Sequence, residues 1–248
     1  MFDYLLRTYV ENGLVDYKGI SRDYLFPAYL KQLAAAKPNQ LATEDERLAL
    51  HCNAYNAFVI SGVISHKIHQ NGKNVLQYYP EDGTGFFDIV EHVFANKTIS
   101  LNHLQHEVIR PVFKEPRVHV ALVCAARSCP SIRAEAYEGT RVRQQLEDQA
   151  QLFANNITYV KWDEHHNRVS LSPILSWYGE DWDAQGGYLP WLAARVTSEE
   201  LKSKLTDAQS GAADVGFNEY DWSLNSQDGG RSSVGGGASF GSGSVPNE

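Results

Sequence analysis

Val118-His119-Val120-Ala121-Leu122-Val123-Cys124-Ala125-Ala126-Arg127-Ser128-Cys129-Pro130 is the run on which the reading of the fold turns. Its first seven residues are β-branched or small and apolar except at His119 and Cys124, a pattern that predicts a buried strand. Ala125 to Ser128 read as a turn. Pro130 suits the first position of a helix, where the missing N–H would be unpaired anyway. Cys129 would then sit at a helix N-terminus, where free N–H groups and the helix dipole favour a thiolate, with Arg127 and Arg133 adding positive charge. On that reading Cys129 is the reactive thiol. Cys124, mid-strand, and Cys52, in a helical pattern, are packing residues.

Working outward, helical spacing marks Tyr4 to Val10. A second helix capped by Ser21 carries Leu25, Tyr29 and Leu33. A Thr43–Glu46 capping box opens a long helix running past Val63. Ser100 caps a helix that Pro111 should stop. Thr140 opens another, with Val142, Leu146, Ala150 and Phe153 on one face. Ile157 to Asp163 and Arg168 to Ser172 form a hairpin. Ser172-Pro173 starts a short aromatic helix, and Pro190 and Thr197 start two more. Beyond Asn225, 13 of the last 23 residues are Gly or Ser, too little apolar surface to offset chain entropy. The expectation is one helix-rich α+β domain over residues 1–225 with a small β-sheet, and a flexible tail over 226–248.

The net charge is −8 at 248 residues, with no basic cluster, so the electrostatic footprint of nucleic-acid binding is missing. No apolar stretch reads as a membrane span. Phe2-Asp3-Tyr4-Leu5-Leu6-Arg7 begins an amphipathic helix at once, so no signal-peptide pattern stands at Met1. The chain as given reads as cytoplasmic, or as exported if an upstream leader is missing. Three cysteines cannot all pair, which favours a reducing compartment.

Three clusters of polar residues carry chemistry. Asn53 and Asn56 share one face of the long helix, where asparagine is a poor helix former. They would serve a site by orienting an imidazole or donating to an oxyanion, or else cross-link the core. His103, His106 and Arg110 share a face of the helix after Ser100, and His119 stands in the apolar run. Either His106 or His119 would be the base for Cys129, with Arg110, Tyr55 and Ser128 contacting substrate. No Cys-x-x-Cys or His-x-x-x-His pair appears, so a Cys129/His119/His106 metal site is the third alternative. No cofactor is expected.

These residues also carry a resemblance. Val15-Asp16-Tyr17, Asn53-Ala54-Tyr55-Asn56-Ala57, Ile99-Ser100-Leu101-Asn102, His106, Ile109-Arg110 and His119 to Cys124 recur in this order. Ser128-Cys129-Pro130, Ala136-Tyr137, Leu171-Ser172, Trp177-Tyr178 and Tyr220 to Asn225 complete the set. In it the chain resembles the domain of unknown function 547 family over nearly the whole body. His51-Cys52 replaces the family's usual aromatic–Ile pair, and Leu104-Gln105-His106 replaces a more usual Ile-Glu-His. The resemblance implies a domain and not an activity. From the residues, the leading expectation is a cysteine-nucleophile enzyme performing acyl transfer or amide hydrolysis on a small-molecule or peptide substrate. The runner-up is a non-catalytic binding module with a polar core network.

Overall fold

The computed structural model describes residues 1–78, 85–89 and 91–228. Most of the tail expected to be flexible lies outside them. The chain runs through helix α1 (Phe2–Tyr9), the hairpin β1 (Val10–Glu11) and β2 (Leu14–Val15), α2 (Tyr17–Ile20) and α3 (Leu25–Ala34) to the long α4 (Glu44–Ser65). A second hairpin, β3 (His92–Phe94) and β4 (Lys97–Ile99), precedes a π-helix (His103–Ile109) continuous with α5 (Arg110–Phe113). After α6 (Val142–Ala154) come β5 (Val160–Asp163) and β6 (Arg168–Leu171), then α7 (Ile174–Trp177), α8 (Tyr188–Ala193), α9 (Glu199–Ser210) and β7 (Asp214–Phe217). The fold is α+β, with two two-stranded sheets and one three-stranded sheet among the described residues, the last ordered β5-β6-β7 with β7 parallel to β6.

Helix α4 is the axis. The Thr43 hydroxyl accepts from the Glu46 N–H, and the Glu46 carboxylate accepts from the Thr43 N–H, so the capping box is complete. Fourteen of its 22 residues are buried, so it is enclosed on nearly every side and has no solvent stripe to make it amphipathic. By length and composition alone α4 passes for a membrane span, yet 78% of its most apolar window lies inside the fold. Around it packs the larger apolar cluster, built from α1 to α6. The second cluster joins α6 to the three-stranded sheet and α7 to α9 around Trp182 and Trp191. Tyr220 packs against both.

The deciding run is not a strand, and no helix begins at Pro130. Pro116–Val120 is a 3₁₀ turn, and residues 121 to 139 cross the core without regular structure. A crossing of that kind must find partners for its backbone groups elsewhere, and buried amides supply them. Asn56 donates to the Ala121 carbonyl at 3.0 Å and accepts from the Val123 N–H at 3.0 Å. Asn53 does the same to Tyr137, at 2.8 and 2.9 Å. From the other side Gln145 of α6 donates to the Ala136 carbonyl and accepts from the Glu138 N–H, each at 2.8 Å. Gln149 reaches the Ser131 carbonyl at 2.5 Å.

Other boundaries shift for local reasons. Asp23, not Ser21, caps α3 by accepting from the Leu25 N–H. Pro111 does not end its helix: the backbone stays helical to Phe113, with the turns before the proline widened to π geometry. Ser198, not Thr197, caps α9, because Thr197 donates both its N–H and its hydroxyl to Asn155. The ordered contacts also continue past Asn225, since Ser226 bridges to Val15 and the Gln227 N–H donates to the Val15 carbonyl.

Two outcomes are expected. Asn53→Ala and Asn56→Ala each leave a buried N–H and carbonyl unpaired, so each should lose roughly 1–3 kcal/mol in urea melts. A loss below about 0.5 kcal/mol would mean water replaces the amide. The second outcome concerns pH. Burial lowers the His92 pKa from 6.5 to about 4. His92 therefore contributes stability above pH 6.5 that is lost as pH falls towards 4. It stacks on Phe58 with ring centroids 4.7 Å apart, so His92→Phe keeps the contact and removes the titration. The wild type should lose about 2 kcal/mol more than His92→Phe between pH 7 and pH 5, read from denaturation midpoints at both pH values.

Candidate active site

A cleft of about 920 Å³ opens where the irregular crossing, the π-helix and the segment after α7 meet. Cys124, Cys129, His119, His106, Arg110 and Tyr55 all line it. Asn53, Asn56 and Ser128 do not. The two asparagines are spent on backbone, as described. The Ser128 hydroxyl accepts from the Asp221 N–H at 2.8 Å, and its own N–H donates to the Asp221 carbonyl. That pairing fastens the Tyr220–Asn225 segment along the cysteine loop, with Arg127 donating to Ser223 and Asn225 to Ala125.

Two thiols sit in this loop. The Cys124 N–H donates to the Cys129 sulfur at 2.9 Å, and the Cys129 thiol faces the Leu122 carbonyl at 4.0 Å. The Cys124 sulfur lies 3.1 Å from the Tyr220 hydroxyl. Between them Ala125 is held at φ 61°, a left-handed conformation that a side chain with a Cβ rarely adopts. Cys129 is 4% exposed, whereas Cys124 is half-buried. Their ionisation runs opposite to the expectation from sequence. Burial pushes the Cys129 thiol well up, reinforced by the neighbouring Cys124. Burial also opposes ionisation of Cys124, but the Cys129 thiol, the Tyr220 hydroxyl and the Ala126 N–H outweigh it, and its pKa falls below the ordinary value. With no helix following Cys129, the dipole expected to activate it is absent. Cys52, inside α4, is pushed up to about 12 by burial.

The second half of the cleft is a charge network. His119 stacks on Tyr178 with centroids 4.0 Å apart and planes within 9°, and its Nε2 lies 2.5 Å from an Asp181 oxygen. Arg110 holds the same carboxylate with Nε at 2.8 Å and Nη2 at 2.9 Å, reaches Glu180, and donates through Nη1 to Nδ1 of His106 at 3.0 Å. Burial alone would raise the Asp181 carboxyl, but His119 and Arg110 hold it well below the usual range. Burial lowers the pKa of both histidines, and the Arg110 charge lowers it further. A neutral His119 whose Nε2–H is given to Asp181 keeps a lone pair on Nδ1. That atom is buried and has no hydrogen-bond partner among the described residues.

No hydrogen bond joins either thiol to an imidazole among the described residues, so the expected Cys129–histidine pair is not formed. Nor do three or more His, Cys, Asp or Glu side chains among them converge as metal ligands, which leaves the metal alternative without a ligand set. Asp181, Tyr178 and Tyr220 had no assigned role in the sequence reading. Tyr178 and Tyr220 lay within its quoted motifs, while Asp181, in a polar turn, carries no local signal.

No curated protein and no solved structure matches the chain. One family model does, and its span takes in α4, the π-helix, the cysteine loop and α6: residues 38–154 match the family described as protein of unknown function, DUF547.

Proposed function

We propose that the cleft is the active site of a cysteine-dependent enzyme of the acyl-transfer or amide-hydrolysis class, with Cys124 rather than Cys129 as the attacking thiol. The observation that carries this reading is the pairing of a half-buried thiol, bonded by a phenol and a second thiol, with a carboxylate-held imidazole in one cleft. The Cys124 thiolate adds to a carbonyl carbon, forming a C–S bond. The C–N or C–O bond then breaks as the leaving group takes a proton, and water cleaves the thioester.

The work divides between the two halves. Tyr220, Cys129 and the Ala126 N–H stabilise the thiolate without help from an imidazole. His119, neutral near pH 7 and fixed in one tautomer by Asp181, accepts or returns the proton at Nδ1. Arg110 keeps Asp181 ionised and is a positioning residue. Trp177, Tyr220 and Trp222, with ring centroids 4.5–6.0 Å apart, give the mouth an aromatic wall for an apolar part of the substrate. A small-molecule or peptide acyl group fits a cleft of this volume.

Two measurements test the division. With limiting iodoacetamide at pH 7.5, peptide mapping should find Cys124 labelled ahead of Cys129 and Cys52, and Tyr220→Phe should slow that labelling about fivefold, the worth of one hydrogen bond of roughly 1 kcal/mol. Labelling of Cys129 or Cys52 before Cys124 would sink the proposal and leave the cleft as a binding site. Asp181→Asn removes the charge that Arg110 holds with two bonds and releases the His119 tautomer. It should lower stability by roughly 1–3 kcal/mol, leave Cys124 labelling within twofold, and abolish turnover of an acetyl-thioester formed on Cys124 from p-nitrophenyl acetate.

A further inference from the structure

We infer that Cys124 and Cys129 are a peroxide-reactive dithiol: a hydroperoxide oxidises Cys124, and Cys129 resolves the product as an intramolecular disulfide. This inference shares with the proposed function the reading of Cys124 as the reactive thiol, and adds a second fate for it.

The geometry points there. A resolving thiol must lie beside the oxidised one, and it is useful only if the attacking oxidant cannot reach it first. Cys129 meets both conditions. Its sulfur is 2.9 Å from the Cys124 nitrogen, and it is 4% exposed. Both thiols border the cleft, but Cys124 is only half-buried and is the more open of the two to a small oxidant. The residues between them form no helix and no strand beyond the single bridge from Ala126 to Leu224, so a disulfide can close without unravelling a helix or a sheet. Cys52 has no such neighbour and is fully buried in α4.

The chemistry balances with a hydroperoxide as the named oxidant. The Cys124 thiolate displaces alkoxide or hydroxide from the O–O bond, giving a sulfenic acid and, after protonation, an alcohol or water. The Cys129 sulfur then attacks the Cys124 sulfur. The S–O bond breaks, and the hydroxyl leaves as water with the proton from Cys129. Two thiols are oxidised and one O–O bond is reduced. The disulfide removes the thiolate on which the acyl chemistry depends, and a small dithiol restores it.

Trypsin makes the test direct, because Arg127 stands between the two cysteines and separates residues 118–127 from 128–133. The full chain, reduced and desalted without oxygen, is treated with a few equivalents of hydrogen peroxide, alkylated under denaturing conditions and digested. The expected product is a disulfide-linked pair of these two peptides, absent after dithiothreitol. In Cys129→Ser, dimedone should instead trap a sulfenic acid on Cys124. Over-oxidation of Cys124 with Cys129 left free, or a crosslink that forms no faster in folded than in urea-unfolded protein, overturns the inference without needing any variant to fold. The iodoacetamide experiment separates the two readings. Fast Cys124 alkylation with no crosslink overturns this inference alone, whereas a fast crosslink without preferential alkylation upholds it and sinks the acyl-transfer proposal.

Discussion

Side-chain amides standing in for a β-ladder are the constraint on which this structure depends. The segment from Ala121 to Gly139 passes through the interior with only one isolated bridge, from Ala126 to Leu224, and interior backbone cannot stay unpaired. Asn53 and Asn56 on α4, with Gln145 and Gln149 on α6, each present an amide whose oxygen or nitrogen meets the crossing chain. Two helices thus act as the neighbouring strands would in a sheet, but with contacts at chosen points. Between those points the chain is free to take conformations a ladder forbids, including the left-handed Ala125 that separates the two thiols.

The cleft is assembled from two bodies of sequence. The span shared with the family supplies the thiols, His106, Arg110 and His119. Tyr178, Asp181 and Tyr220 come from the segments after it. The joint between them is a partly buried arginine–carboxylate pair. Such a pair costs desolvation on both sides, so its energetic return is small while its demand on geometry is high. Here that demand is met by two parallel bonds from Arg110 to Asp181, and by Tyr178, whose ring carries His119 on its face with the Arg110 guanidinium 5.3 Å from its centre. The second apolar cluster, around Trp182 and Trp191, sets the position of this joint.

Much of the fold was legible because local chemistry decides it. The Thr43–Glu46 box and the β5–β6 hairpin form as their residues require. The run from Val118 to Cys124 misled because a short apolar stretch has the same composition whether it is a strand or a buried crossing, and the residues that choose between them lie some 65 positions earlier. Asn53 and Asn56 were recognisable as out of place in an apolar helix, but spacing says only that they share a face and not that backbone waits there. Cys129, His106, His119, Arg110 and Tyr55, singled out from the sequence, do line one cleft. The contact that sets Cys124 apart from Cys129 was not legible, since its partner Tyr220 lies nearly a hundred residues away. Asp181 was out of reach for the same reason: nothing near it in the chain announces that two long-range partners will meet it.

The last stretch of described chain lies against the first. Asn225 accepts from the Tyr17 hydroxyl and the Val15 N–H, and donates to the carbonyl of Ala125. During synthesis the amino-terminal helices and the α4 core can collapse long before residue 225 leaves the ribosome, but the cysteine loop cannot be fastened until it does. The nascent protein therefore carries its thiols in an unfinished pocket from the emergence of Cys129 until residue 225 follows, and the cleft is completed only as the chain closes on itself.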